Sequence, residues 1–200
     1  MPSTSEIRQR LRKNRNRIDP TTRQKFDFVI NSRLIQSGLL LRSPRIACYL
    51  SNDGEPDLTL FLHTLYKHRI SHYLPIVTTK KSLRFARYNW GNDLSYNHYG
   101  IAEPADTQLF LPRFLSIVLT PLVGFDLNGN RLGMGGGYYD RTFGFIARSN
   151  SPVRSLIVGI AYESQAVAKL PSQSWDVPLD AVVTEKTLHL FSARAKHTLT

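Results

Sequence analysis

Sulfur is scarce in this chain. A single cysteine, Cys48, stands among 200 residues, so an internal disulfide is excluded. It lies in the apolar run Ile46-Ala47-Cys48-Tyr49-Leu50, reads as a small buried hydrophobe, and favours a reducing compartment. Long hydrophobic stretches are also missing. No segment approaches the roughly 18 apolar residues that a membrane span needs, and the arginines near the N-terminus have no apolar stretch behind them. A soluble, cytoplasmic protein with no membrane partner is the expectation. The six histidines lack metal-ligand spacing, no Ser-His-Asp arrangement is suggested, and no repeat or low-complexity tract is evident. Acidic residues are few, 15 against 26 Lys and Arg, which leaves a formal charge of +11. Such a surface attracts polyanions, and charge alone does not choose between nucleic acid, an acidic membrane surface and a small phosphorylated or carboxylated ligand.

What is present fits an ordinary globule. The hydrophobic share of 42% and charged share of 20% are not those of a disordered tail, and residues 1–200 suit one domain with a sizeable core. Residues 6–17 are dense in arginine and free of glycine and proline, which predicts an exposed helix. Asp19-Pro20 then has the form of an N-cap followed by proline at the first helical position. Phe26, Val29, Ile30 and Leu34 recur at helical spacing up to a stop at Gly38. From residue 46 the period changes: a strand over 46–50, a helix over 57–68 aligning Leu58, Phe61, Leu62 and Leu65, and a strand near 73–77. Strand, helix, strand in that order predicts a parallel pair in an α/β sheet. Residues 83–88 alternate in a strand-like way, and 117–119, 156–160 and 181–183 are further strand candidates in a sheet covered on both faces. Residues 188–200 form a polar tail with no assigned structure.

Chemistry concentrates in one loop. After a turn at Asn128-Gly129-Asn130 runs Arg131-Leu132-Gly133-Met134-Gly135-Gly136-Gly137-Tyr138-Tyr139-Asp140, with four glycines in five positions. Without Cβ atoms, successive backbone N–H groups can converge on a phosphate, and a helix starting at Tyr138 adds unpaired N–H groups and favourable dipole charge. No Gly-Lys-Ser/Thr follows, and the pattern is not G-x-G-x-x-G, which disfavours the two commonest nucleotide-binding loops. A flexible surface turn is the bland alternative. Arg131, a planar fork for phosphate oxygens, and Asp140, a carboxylate for the magnesium ion that nucleotides carry, favour the functional reading.

The stretch from Arg131 to Arg141 resembles the signature of the 5-formyltetrahydrofolate cyclo-ligase family. Tyr49-Leu50-Ser51-Asn52-Asp53-Gly54-Glu55, Tyr99-Gly100-Ile101-Ala102-Glu103-Pro104, Leu170-Pro171 and Trp175-Asp176-Val177-Pro178-Leu179 follow in the family's order. The resemblance covers nearly the whole chain and fades in the last dozen or so residues. It implies a three-layer α/β/α fold with a mainly parallel central sheet, of the NagB/RpiA/CoA-transferase-like kind. It also implies conversion of 5-formyltetrahydrofolate to 5,10-methenyltetrahydrofolate with hydrolysis of ATP to ADP and phosphate, using Mg2+. The implied route transfers the γ-phosphoryl group to the formyl oxygen, after which N10 attacks and phosphate departs.

By the same resemblance, Arg8, Arg131, Leu132, Gly133, Met134, Gly135, Gly136, Gly137, Tyr138 and Tyr139 bind ATP. Leu50, Glu55 and residues Met134 to Tyr138 face the folate, and Asp140 and Asp176 hold magnesium. Taken without the family, Asp53-Gly54-Glu55 is an ordinary acidic turn and Asp176 a solvated loop carboxylate. Arg8 falls on the arginine of the family's Lys-x-x-x-Arg pattern, while Thr4 occupies the lysine position, a gap that Arg10 or Arg12 lies close enough to fill; Arg15 and Arg17 read as solvated face. Tyr88, Trp90 and Tyr99 are either ring-stacking residues or core packing. The partners implied are ATP and a folate, often polyglutamylated, for a monomer that binds no nucleic acid. A nucleic-acid module is the rival reading of the +11 charge, but it gives no reason for the glycine loop. A relative that binds ATP without cyclising is a third.

Overall fold

A computed structural model of the chain describes residues 3–42, 44–105, 108–147 and 154–200. Helix α1 (Thr4–Asn16) starts two residues before the expected position because Ser3 caps it: its hydroxyl accepts from the Glu6 amide at 3.2 Å while the Glu6 carboxylate accepts from the Ser3 amide at 2.6 Å. Asp19 caps α2 (Pro20–Gln36) as its sequence position predicts, accepting from the Thr22 amide at 3.0 Å. Ile30 and Leu34 enter the core and Phe26 packs beside them, whereas Val29 is only half-buried. A short α3 (Leu39–Arg42) follows.

The predicted strand, helix, strand unit is β1 (Arg45–Ala47), α4 (Thr59–Lys67) and β2 (Ser71–Val77), with β1 and β2 parallel and Ile46 opposite His72. β1 is shorter than its apolar run. After Cys48, whose amide still donates to the Tyr73 carbonyl at 2.9 Å, the chain leaves the sheet and Tyr49 and Leu50 begin a loop. Next come β3 (Leu83–Arg87), a small separate ladder of β4 (Leu94–Tyr96) and β5 (Ala102–Pro104), β6 (Leu109–Phe110) and β7 (Ile117–Pro121). The rest comprises a hairpin of β8 (Gly124–Phe125) and β9 (Arg131–Leu132), then α5 (Tyr138–Ala147), β10 (Leu156–Ile160), β11 (Ala181–Val183), β12 (Leu188–Leu190) and α6 (Ala193–Leu199). The C-terminal tail is thus ordered. Ser192 caps α6, and Ala195 and Leu199 are buried, so the few apolar residues among its polar ones dock it.

The sheet runs β12-β11-β10-β7-β1-β2-β3-β6. The stretch from β11 to β2 is parallel, and the flanking strands β12, β3 and β6 are antiparallel. Alternation along the strands builds two cores. Ile117 and Leu119 of β7 face the same cluster as Ile30, Leu34, Phe61 and Leu65, while Val118 faces the other side with Phe143 and Ile146 of α5. Helices therefore cover both faces, giving three layers. β1 has β2 on one side and β7 on the other, with α4 and α5 crossing on opposite faces. The carboxyl ends of β1 and β7 thus form a topological switch point, where open α/β sheets bind ligands.

Candidate active site

The glycine loop is held rigid at its entrance. Buried Asp126, just after β8, accepts from the Asn128 and Asn130 amides (both 3.0 Å), the Asn130 side chain (2.9 Å) and the Leu170 amide (2.9 Å). Burial would raise its carboxyl, but these hydrogen bonds outweigh that and hold it below the usual range. The knot fixes the hairpin that delivers β9 and then residues 133–137. Gly135 at φ +98° and Gly137 at φ +64° adopt backbone that side chains resist, so this loop requires glycine there. α5 begins at Tyr138 directly afterwards, and its first N–H groups have no intrahelical acceptors.

A cleft of about 880 Å³ opens beside this loop. Leu132, Gly133, Gly135 and Gly137 line it with Arg131 and Asp140; α1 contributes Thr4 and Arg8, and the opposite wall is the 171–176 segment with Trp175 and Asp176. Arg8 Nε donates to the Gly133 carbonyl at 2.8 Å, which fastens α1 to the loop. The hydrophobic contacts of Ile7 and Leu11 with Val123, Leu132 and Leu170 do the same work beside it. Arg131 donates from Nη2 to Asp140 Oδ1 at 2.5 Å and from Nη1 to the Val177 carbonyl; the Val177 amide donates to the same Asp140 oxygen at 3.1 Å. Asp140 thereby joins β9, α5 and the segment that carries Asp176. Asp176 accepts through Oδ2 from the Gln173 amide at 2.8 Å. The family resemblance paired Asp140 with Asp176, and the fold puts both on one cleft.

Met134 stands exposed at the loop tip and does not line the cleft. Gly136 has the Tyr138 ring against it: a Cβ there would lie 2.6 Å from Cε2. The Tyr138 hydroxyl is 2.6 Å from that of Tyr99, and their rings meet edge to face. Tyr99 is accordingly the one of the three candidate aromatics that reaches the loop. Tyr88 is buried against His72, and Trp90 packs on His63.

Leu50 and Glu55 do not line this cleft. They lie in the loop that follows β1 at the switch point, where the charge of Glu55 acts on the phenols of Tyr49 and Tyr139. Both phenols are pushed up, first by burial and then by that charge. Tyr139 directly follows Tyr138, so it connects the glycine loop with the Glu55 region. Burial pushes the Glu55 carboxyl up to about 7, against the pull of Arg15.

Arg15 corrects the expectation of a solvated face. It is fully buried, donating to the Leu122 carbonyl at 3.1 Å, the Asp53 carbonyl at 2.7 Å and Asp53 Oδ2 at 2.9 Å. Arg12 also turns to Asp53, at 2.8 Å, rather than into the cleft beside Thr4, while Arg17 is exposed as expected. A buried arginine has no signature in local sequence, since only a distant carboxylate and carbonyl make its burial tolerable. Helical spacing held the one available signal: 8, 12, 15 and 16 share a face. Thr4, Trp175 and Gln173 are further cleft residues that carried no site assignment. Among the described residues no group of three or more His, Cys, Asp or Glu is placed to hold a metal, and no helix is long and apolar enough to cross a membrane.

The sequence model of the 5-formyltetrahydrofolate cyclo-ligase family matches residues 1–185. The chain is 37% identical to the 5-formyltetrahydrofolate cyclo-ligase of Haemophilus influenzae over 179 residues, which is 87% of this chain and 93% of that one. To the Escherichia coli enzyme of the same name it is 35% identical, over 87% of this chain and 96% of the other. The 5,10-methenyltetrahydrofolate synthetase of Aquifex aeolicus has the same fold, with a TM-score of 0.81 at 31% identity across 94% of this chain and 92% of that one. The glycine loop, the switch-point loop and the Trp-Asp segment thus stand in a scaffold shared with these enzymes, and the chain belongs to the 5-formyltetrahydrofolate cyclo-ligase family.

Proposed function

We propose that the chain converts 5-formyltetrahydrofolate to 5,10-methenyltetrahydrofolate at the expense of ATP, with the nucleotide in the cleft between α1, the glycine loop and the 171–176 segment. The observation that carries this reading is the convergence of Arg8, Arg131, the loop glycines, Asp140 and Asp176 on one cleft. Phosphoryl transfer needs alignment and neutralisation of oxygen charge more than covalent help, and this set supplies both. Residues 133–139 cradle the phosphates with backbone N–H groups, and Arg8 and Arg131 balance their charge. The formyl oxygen takes the γ-phosphoryl group and ADP leaves. N10 then attacks the formyl carbon and loses its proton, the carbon–oxygen bond breaks, and phosphate departs with the amide oxygen.

Leu50 supplies apolar wall and Glu55 accepts from pterin N–H groups at the switch point, with residues 134–138 reaching the formyl end. Asp140 and Asp176 suit a magnesium ion carried by ATP. Each engages one carboxylate oxygen in hydrogen bonds among the described residues, which leaves the other for a hard cation that otherwise keeps phosphate and water ligands. Such an ion neutralises developing charge on the phosphates. A single-domain monomer working in the cytoplasm completes the reading, with light scattering of the purified protein as the check on the monomer. The activity is tested by mixing protein, 5-formyltetrahydrofolate and Mg-ATP and following the near-ultraviolet absorbance of the methenyl product. ATP-dependent growth of that band is expected, and its absence would refute the proposal.

A further inference from the structure

Helix α1 presents Arg8, Arg12, Arg15 and Asn16 along one face, and the four side chains bond to the glycine loop, the loop after β1 and the chain just beyond β7. Arg8 holds the Gly133 carbonyl of the glycine loop at 2.8 Å. The other three converge on one residue, Asp53: Arg12 at 2.8 Å and Arg15 at 2.9 Å on Oδ2, and Asn16 at 3.0 Å on Oδ1. Arg15 also takes the Asp53 backbone carbonyl, and its far side is anchored on the Leu122 carbonyl just beyond β7. Burial alone would raise the Asp53 carboxyl, yet these donors hold it below its usual range. Three donors on one carboxylate are far more than an acidic surface turn requires.

The turn they grip is conformationally demanding. Asp53 and Gly54 both have positive φ, +49° and +75°, and a Cβ on Gly54 would come 2.2 Å from Asn16 Oδ1 and 2.8 Å from an Arg23 guanidinium nitrogen. The chain at 53–54 is therefore clamped between α1 and Arg23, and the next residue is Glu55. Asn52 completes the turn, with its amide on Glu55 Oε2 at 3.1 Å and the Glu55 amide on its carbonyl at 3.0 Å. The groups whose charge meets Glu55 are Arg15 from α1, Asp53 from its own loop, and the phenols of Tyr49 and Tyr139.

We propose that Asp53 is the positioning residue of the folate-side loop: gripped by Arg12, Arg15 and Asn16, it sets the left-handed turn that presents the Glu55 carboxylate at the switch point. α1 thereby ties that loop to the glycine loop it holds through Arg8. The proposal rests on the reading that Glu55 binds the folate. Asp53 touches neither substrate, and it acts through the backbone of the next two residues.

The test compares Asp53→Asn, Arg12→Ala and Glu55→Gln in steady-state kinetics, varying each substrate in turn, with thermal unfolding alongside. Asp53→Asn keeps the shape but loses the charge that draws the guanidinium groups together; it is expected to raise KM for 5-formyltetrahydrofolate about tenfold while KM for ATP stays within about twofold. Because Arg15 is then freed to act on Glu55, the midpoint in the pH dependence of the folate KM is expected to move to lower pH. Arg12→Ala removes a half-exposed partner and guards against a folding defect in the first variant; its folate KM is expected to rise about threefold. Unchanged KM values in a folded Asp53→Asn, or equal rises for both substrates with an unmoved pH midpoint, would overturn the proposal. So would an Arg12→Ala effect confined to ATP. Glu55→Gln separates the two ideas: if it leaves the folate KM unchanged, the underlying assignment of Glu55 fails, whereas a raised KM there with an inert Asp53→Asn sinks the positioning role alone.

Discussion

Glu55 shows how a single residue can be set against the fold that holds it. Its unfolded carboxyl titrates near 4.5 and the folded one at about 7, so the native state binds the proton more tightly. The stability this contributes is complete below about pH 4.5, declines as pH rises and is gone above about 7, where the native protein carries a partly buried carboxylate. A glutamine there does not titrate. Glu55→Gln should therefore be more stable than the parent at pH 8, by on the order of 2–3 kcal/mol, with the advantage vanishing toward pH 4.5. Thermal unfolding at the two pH values measures it; an equal difference at both would contradict the burial argument. A site that spends stability on a charged group is the usual mark of a ligand contact. Gly136 makes a complementary case, because it has ordinary φ but no room for a Cβ beside the Tyr138 ring. Gly136→Val should displace Tyr138, break its contact with Tyr99 and lower turnover about a hundredfold or more, with the melting temperature little changed because the loop is largely solvent-facing. Turnover near the parent's in a folded Gly136→Val would remove the loop from catalysis.

At the scale of elements, α1 and α5 are the two bars that brace the cleft. α1 is attached by its cap, by Ile7 and Leu11, and by Arg8 on the loop. Arg8→Ala leaves the apolar attachment in place and removes the guanidinium that bonds the Gly133 carbonyl and, in the proposed reading, balances charge on the nucleotide. It is expected to raise KM for ATP about tenfold or more, in line with a charge-assisted hydrogen bond, while Arg17→Ala on the exposed end has no effect. Steady-state titration of ATP in both variants decides it. α5 braces the opposite wall through Asp140, which binds both Arg131 and the Val177 amide. Asp140→Ala frees a largely buried guanidinium and unties the segment bearing Asp176, so both turnover and stability should suffer, the latter by about 1–3 kcal/mol. Magnesium titration supplies the separate test of its metal role: an unchanged dependence on the ion would confine Asp140 to bracing.

For the whole molecule, the formal charge of +11 acts on anionic substrates over distances no single contact covers. Raising the salt from about 50 to about 500 mM shortens the screening length several-fold, so KM for ATP should rise markedly while kcat changes less. A salt-independent KM would show that the local cleft alone accounts for affinity. At this scale the division between sequence and structure is also clearest. The parallel β1-α4-β2 unit, the Asp19-Pro20 cap and the glycine loop could be read along the chain, because periodicity, capping chemistry and φ requirements are properties of a few neighbouring residues. The loop's local sequence showed an anion nest, and its extended likeness to a family tied it to ATP and folate.

Other features depended on partners far away in the chain. β1 stops at Ala47 although its apolar run continues, because the switch point turns the backbone away from the sheet there. Residues 188–200 looked merely polar, yet β12 and α6 form because the edge of β11 and the core surface are waiting for them. The same arginine-rich stretch that reads as a solvated helix becomes, through Asp53 and Leu122, a buried clamp at Arg15. By itself the sequence determined the first helices, the parallel strand, helix, strand unit, the nest and the charge, all of which follow from local chemistry. Only tertiary structure decided which arginines line the cleft and which meet Asp53, since burial and pairing are set by residues more than thirty positions apart.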